Sequence, residues 1–131
     1  MKDHTKFSVL MSLYHKEKPS YVVECFDSLL AQTCQASEWV IVKDGPLTDE
    51  LEEVLHRYQE QYPNLIKFVP LKENVGLGKA LAAGVPECTY SLIARMDTDD
   101  ICVPDRFEKQ LNCFKNNPNL DICGSYIREF E

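Results

Sequence analysis

Apolar residues along this chain fall into short unbroken runs that alternate with stretches of helical spacing. Residues 7–13 (FSVLMSL), 38–43 (EWVIVK), 65–69 (LIKFV) and 89–94 (TYSLIA) are mostly apolar runs of strand length. A run that is apolar at successive positions buries both faces, as a central strand of a parallel sheet does. Residues 120–123 (LDIC) begin a fifth such run. Between the runs the period changes. Pro19 suits a first helical turn, and Val22, Cys25, Phe26, Leu29 and Leu30 recur behind it at helical spacing. Thr48 is placed to cap a second helix that carries Leu51, Val54, Leu55 and Tyr58 on one face and ends at Pro63-Asn64. Gly76 to about Ala83 is a third, Gly- and Ala-rich helix. Pro104 opens a fourth, with Phe107, Leu111 and Phe114 inward, and Asn116-Asn117-Pro118 closes it. This alternation predicts an α/β fold with a mostly parallel sheet, helices on both faces and right-handed crossovers.

The polar outliers fall at one kind of place. Tyr14 follows the first predicted strand and Asp44 the second. Lys72, Asn74 and Gly76 follow the third, and Arg95, Asp97, Asp99 and Asp100 the fourth. The carboxyl ends of parallel strands share one crevice, where such sheets bind ligands. Segments distant in sequence are therefore expected to meet at a single site.

Three carboxylates in the four residues Asp97-Thr98-Asp99-Asp100 repel one another unless a cation lies between them. Hard oxygen donors on a short loop suit Mg2+ or Mn2+, completed by ligand phosphates. The plainer alternative is that they cap the helix near Pro104. Arg95, Arg106, Lys72 and Lys79 bring positive charge to the same crevice, which fits a diphosphate. Taken singly, each is an ordinary solubilising surface charge. The stretch Asn74-Val-Gly76-Leu-Gly78-Lys79 can turn backbone amides to a phosphate, or can simply allow a helix to pack closely on the sheet. Asp44, an acceptor-only carboxylate ending an apolar strand, is able to take an N–H from a base such as the imide of uracil. An Asx-type turn at Asp44-Gly45-Pro46 is the plainer alternative.

Composition narrows the classes. The 131 residues make one domain, with 44% hydrophobic and 27% charged residues, as in an ordinary globular protein. The 14 Lys and Arg stand against 21 Asp and Glu, for a net charge of −7. Such a surface disfavours broad binding to nucleic acid or anionic lipid. No apolar run approaches the roughly 20 residues of a spanning helix, and the first residues lack the features of a signal peptide. The six cysteines form no C-x-x-C pair and do not cluster with the three histidines. They read as reduced, buried thiols in a cytoplasmic protein. No Gly-x-Ser-x-Gly elbow or Cys–His pairing supports hydrolase chemistry.

Four segments together resemble glycosyltransferase family 2. They are residues 7–14 (FSVLMSLY), 40–45 (VIVKDG), 73–80 (ENVGLGKA) and 94–101 (ARMDTDDI), followed by residues 104–107 (PDRF) and Gln110. The resemblance covers nearly the whole chain, and the ARMDTDDI string is its most specific part. It implies the GT-A fold, a Rossmann-like three-layer α/β/α sandwich. It also implies a nucleotide-diphosphate sugar donor, a UDP-sugar by preference, with Mn2+ or Mg2+ and inversion at the anomeric carbon. By position, Asp44 would bind the base imide, with Tyr14 near the base and Asn74 in the same nucleotide-sugar site. Asp99 would contact the ribose or sugar, Asp100 would hold the metal with Asp97 or Asp99 sharing that role, and Lys79 and Arg95 would lie near the diphosphate.

Two departures from the family pattern stand out. Lys43-Asp44 replaces a usual pair of aspartates, keeping the second. Family members also carry a second half that supplies the acceptor site and the general base. Residues 1–131 are therefore expected to be the donor-binding half of a transferase for polysaccharide or other glycan synthesis, with the glycan or lipid-linked acceptor and the base outside it. Two other classes compete. A receiver-type regulatory module places paired acids after the first strand, where this chain has Tyr14-His15. A nucleotidyltransferase places a Gly-rich basic loop there, and residues 12–18 contain no glycine. The intact enzyme is expected in the cytoplasm or at the inner membrane face.

Overall fold

The computed structural model describes residues 6–98, 100–116, 122–123 and 126–128, with side-chain detail through Asn112. The element order is β1 (Ser8–Leu13), α1 (Pro19–Leu30), β2 (Glu38–Lys43), α2 (Asp49–Gln61), β3 (Ile66–Pro70), α3 (Leu77–Gly84), β4 (Leu92–Arg95), α4 (Arg106–Asn116), β5 (Ile122–Cys123) and β6 (Tyr126–Arg128). Pro19 opens α1 as expected. Thr48 caps α2, its Oγ1 accepting the Leu51 N–H at 3.2 Å, and Asp49, Glu50 and Glu52 crowd the positive end of the helix dipole.

The described strands form one sheet in the order β3-β2-β1-β4-β6-β5. β1 pairs in parallel with β2 and β4, and β2 with β3. Strand residues divide between two cores by alternation. Val9, Met11, Leu13, Trp39 and Ile41 face a layer that includes Val22, Phe26, Leu51, Leu55, Phe107 and Leu111 from α1, α2 and α4. Leu10, Val40, Val42 and Ile93 face Ala80 of α3 and Cys88. The result is the expected three-layer α/β/α sandwich. Within the larger core, Phe26 packs its ring 5.2 Å from Trp39 and 5.1 Å from Tyr58.

α4 begins at Arg106 rather than Pro104 and β3 is shifted by one residue, to Ile66–Pro70, while β4 and β5 differ more from the sequence expectation. β4 begins at Leu92 rather than Thr89. The reason is that the Thr89 N–H donates to both Glu38 carboxylate oxygens at 3.1 and 3.0 Å, and Tyr90 N–H to Ser8 Oγ at 3.4 Å, so side chains replace the ladder there. β5 does not extend the parallel set. It pairs antiparallel with β6, which itself runs antiparallel to β4. Strands of two and three residues are too short to leave a periodic signal. The side chain of Phe114, expected to point inward, lies outside the described residues. Cys25, Cys34, Cys88 and Cys102 are buried, and the side chains of Cys113 and Cys123 fall outside the described set.

Candidate functional site

The sheet order contains a reversal. After β1 the chain lays β2 and β3 to one side, then returns to place β4 on the other. Crossovers on the two sides of β1 diverge, and their divergence opens a crevice at the carboxyl ends of β1 and β4. A cleft of about 460 Å³ lies there, lined by Ser12 and Leu13 at the end of β1, Tyr14 and Glu17 after it, Asp44 after β2, Asn74, Gly76 and Leu77 before and within α3, and Asp97 and Thr98 after β4.

Asp44 is nearly buried at 4% exposure. Its Oδ1 accepts the Val75 N–H at 2.7 Å and its Oδ2 the Gly76 N–H at 3.1 Å. The Asx-turn reading is thus replaced by a longer-range one: Asp44 organises the glycine-rich loop, and the two amides that loop offers go to Asp44 rather than to open space. Each carboxylate oxygen can accept a second hydrogen bond, and Asp44 lines the cleft. Gly45 makes the approach possible. It has φ +87°, and a Cβ there would lie 2.7 Å from Asn74 N. At the far end of α3 the small-residue alternative holds, since a Cβ on Gly84 would strike Leu10 Cδ1 at 2.6 Å and Val42 Cγ2 at 2.7 Å.

Tyr14 is exposed at the cleft rim with its ring 5.6 Å from that of His15. Asn74 lines the cleft and accepts the Gly76 N–H on its own Oδ1 at 3.2 Å. Asp97 reaches the cleft as an exposed carboxylate. Asp100 is exposed on the same turn, which its N–H closes by donating to Asp97 O at 3.1 Å. Asp99 lies outside the described residues. Arg95 ends β4 and Lys79 stands on α3, both exposed, and neither lines the cleft. Arg106 is half-buried with its Nη1 2.9 Å from Met96 Sδ. Lys43 turns away, donating to Glu52 on α2 at 2.8 Å and lying over the Phe68 ring at 4.6 Å. Its side chain is thereby removed from the cleft, so the departure from the usual aspartate pair leaves the cleft end of β2 to Asp44 alone.

Thr98 and Glu17 are among the lining residues not singled out from the sequence. Thr98 is 1% exposed and donates its Oγ1 hydrogen to Glu17 Oε1 at 2.7 Å. No local pattern links residues 81 apart in the chain. Cys102 offers no nucleophile. Burial pushes its thiol up, against the weaker pull of the Arg106 guanidinium.

The donor set for a metal is carboxylate oxygen. Among the described residues no three His, Cys, Asp or Glu side chains gather as a closed metal site. Asp97 and Asp100 on one exposed turn fit a divalent cation that takes one or two protein carboxylates and completes its shell from water and ligand phosphate.

A family model described as Glycosyl transferase family 2 matches residues 8–131. The chain belongs to glycosyl transferase family 2. It is 49% identical over 125 residues to the amylovoran biosynthesis glycosyltransferase AmsE of Erwinia amylovora, an overlap of 95% of this chain and 46% of that protein. It is 39% identical over 129 residues to the UDP-Gal:alpha-D-GlcNAc-diphosphoundecaprenol beta-1,3-galactosyltransferase of Escherichia coli, covering 98% of this chain and 46% of that one. This family 2 chain thus spans a little under half the length of both relatives. Its fold matches that of Staphylococcus aureus TarS residues 1–349, solved in complex with UDP, with a TM-score of 0.73 at 24% identity over 87% of this chain and 33% of that one. The mannosyltransferase PcManGT of Pyrobaculum calidifontis, solved with GDP-Man and Mn2+, matches with a TM-score of 0.62 at 22% identity over 71% of this chain and 27% of that one.

Proposed function

We propose that this chain is the donor-binding part of an inverting glycosyltransferase, which takes a UDP-sugar with Mn2+ or Mg2+ and delivers the sugar to a glycan or lipid-linked acceptor. The observation that carries the reading is that Asp44 and Asp97, 53 positions apart in sequence, line one cleft at the carboxyl ends of parallel strands. The E. coli relative's name supplies the uridine donor and the lipid-linked acceptor as precedents.

In this reading Asp44, held in place by the Val75 and Gly76 amides, accepts the imide N–H of the base, and Tyr14 covers the base from the rim. Asn74 lies on the same wall. Asp97 and Asp100 hold the cation with Asp99, which also meets the ribose or sugar. Bound there, the cation would offset the charge that gathers on the departing nucleoside diphosphate, an effect worth several kcal/mol. Lys79 and Arg95, both outside the cleft lining, would have to reach the diphosphate by rotating their long side chains. The described cleft supplies acceptors and a platform for the donor. A base for the acceptor hydroxyl is assigned to no residue of this chain, so the chain alone is expected to bind donor with little turnover.

Calorimetric titration with UDP, with Mn2+ and after chelation, tests the reading. Binding that weakens on chelation, and weakens likewise in Asp100→Asn with Mn2+ present, is the expected result. Equal affinity after chelation would remove the metal from the proposal, and no UDP binding in either condition would remove the donor.

A further inference from the structure

We infer that Gln32 is a positioning residue for the acidic turn, through a two-sided amide clasp with the segment that joins that turn to α4. The inference rests on the donor-binding reading above for its functional consequence, but its structural core does not.

Residues 100–105 join the acidic turn to α4. Ile101 and Val103, two of their apolar side chains, are 65% and 60% exposed. Cys102, between them, is buried in the core, so side-chain packing holds the loop at that point but not at Ile101 or Val103. Its main chain is also bound to the carboxyl-terminal half of α1 and the turn after it. Gln32 is 4% exposed. Its Nε2 donates to Val103 O at 2.6 Å, and its Oε1 accepts the Phe107 N–H at 3.1 Å. Phe107 is the second residue of α4, so that N–H is one of those a helix cannot satisfy from within. One helical turn earlier, Ser28 Oγ accepts the Cys102 N–H at 2.9 Å while donating to Cys25 O at 2.7 Å. Next to Gln32, Thr33 N–H donates to Pro104 O at 2.8 Å. Beneath the turn, Cys25 Sγ reaches Asp97 O at 3.6 Å.

These contacts fix the backbone on either side of Val103, and with it where the turn of Asp97 and Asp100 ends. A primary amide suits this place because it presents a donor and an acceptor on one rigid plane. Glutamate of the same length would set a carboxylate against Val103 O. Methionine of similar volume would leave Val103 O and the Phe107 N–H without their partner. Either change leaves Asp44 and its contacts untouched, since Gln32 meets none of them.

The test separates the two ends of the ligand. Gln32→Met and the smaller Ser28→Ala are each titrated with UDP in Mn2+ and after chelation, and amide hydrogen exchange is followed in the ligand-free chain. The expected result is a loss of metal-dependent UDP affinity of about 10-fold in Gln32→Met, the low end of what removing a group behind a metal ligand does. Ser28→Ala should lose less. Residual UDP affinity after chelation should be unchanged, and exchange should speed up at Cys102 and Phe107 but not in β1 or β2. Gln32→Met with wild-type exchange at Cys102 and Phe107 would overturn the clasp, whatever UDP does. Faster exchange with metal-dependent affinity within about 2-fold of wild type, below half a kcal/mol, would overturn the positioning role. Should Gln32→Met fail to fold, the same two readouts on Ser28→Ala decide. A wild-type chain that binds no UDP would instead overturn the donor reading and leave the exchange result to judge the clasp.

Discussion

Thr98 and Glu17 meet across the cleft, hydroxyl to carboxylate at 2.7 Å. The bond ties the loop after β1 to the turn after β4, the two sides of the crevice that the reversal of strand order creates. Thr98 is almost completely buried, so its hydroxyl has no water to replace Glu17. Thr98→Val keeps the shape and deletes the donor. Unfolding free energy by urea titration should fall by about 1.5–3 kcal/mol, the usual worth of a hydrogen bond to a charged group. An unchanged midpoint and slope would mean that the two loops are held apart from this contact.

Asp44→Ala removes the acceptor for two backbone N–H groups, those of Val75 and Gly76. It should cost about 1–2 kcal/mol of stability and abolish measurable UDP binding. Asp44→Asn keeps one acceptor oxygen but aims an amide donor at either the loop or the ligand. It should be the more stable of the two variants, and still bind UDP poorly. Urea unfolding and calorimetry on both variants check this ordering.

Gly45 and Gly78 should respond in opposite directions. Gly45→Ala forces a side chain onto a residue with φ +87° and sets its Cβ 2.7 Å from the Asn74 nitrogen. It should destabilise the chain by about 2 kcal/mol or more. Gly78, inside α3, has no atom within 4 Å of a built Cβ. Gly78→Ala should therefore stabilise by about 0.5–1 kcal/mol, through the backbone freedom it removes from the unfolded chain. Thermal unfolding of the two variants beside the wild type is sufficient.

Tyr58 gives the chain an alkaline signature. Its hydroxyl donates to Asp27 Oδ1 at 2.6 Å. Burial first, then that bond and the Asp27 charge, push its pKa from 10.0 up to about 12. The folded chain keeps a proton that the unfolded chain gives up. The contribution is thus whole below pH 10.0 and disappears as pH rises through about 12. Tyr58→Phe should be less stable than wild type at neutral pH, and the gap should narrow above pH 10.0. Urea midpoints across that range, with an absorbance titration showing one fewer late-ionising tyrosine, measure it.

Much of this was written locally. The apolar runs around Val9, Val40 and Phe68 and the helical stripes of α1 and α2 need only side-chain periodicity, which each segment carries by itself. Thr48 as a cap could be read in the same way, and so could the position of Tyr14, Asp44, Asn74 and Asp97 just past strand ends. The family resemblance followed from those same short strings.

Strand order was another matter. Whether β4 would lie beside β1 or beyond β3 depends on how crossovers pack over the sheet, a property of no single segment. That placement brings Glu17 to Thr98 and sets Gln32 against Val103 and Phe107. It also leaves Arg95 outside the cleft lining, two positions before Asp97 inside it, and Lys79 outside, two positions beyond Leu77 inside it. Periodicity determined which residues would be strand, helix and rim. Only the folded sheet decided which rim residues face one another, because a hydrogen bond between distant segments depends on distances that sequence separation does not encode.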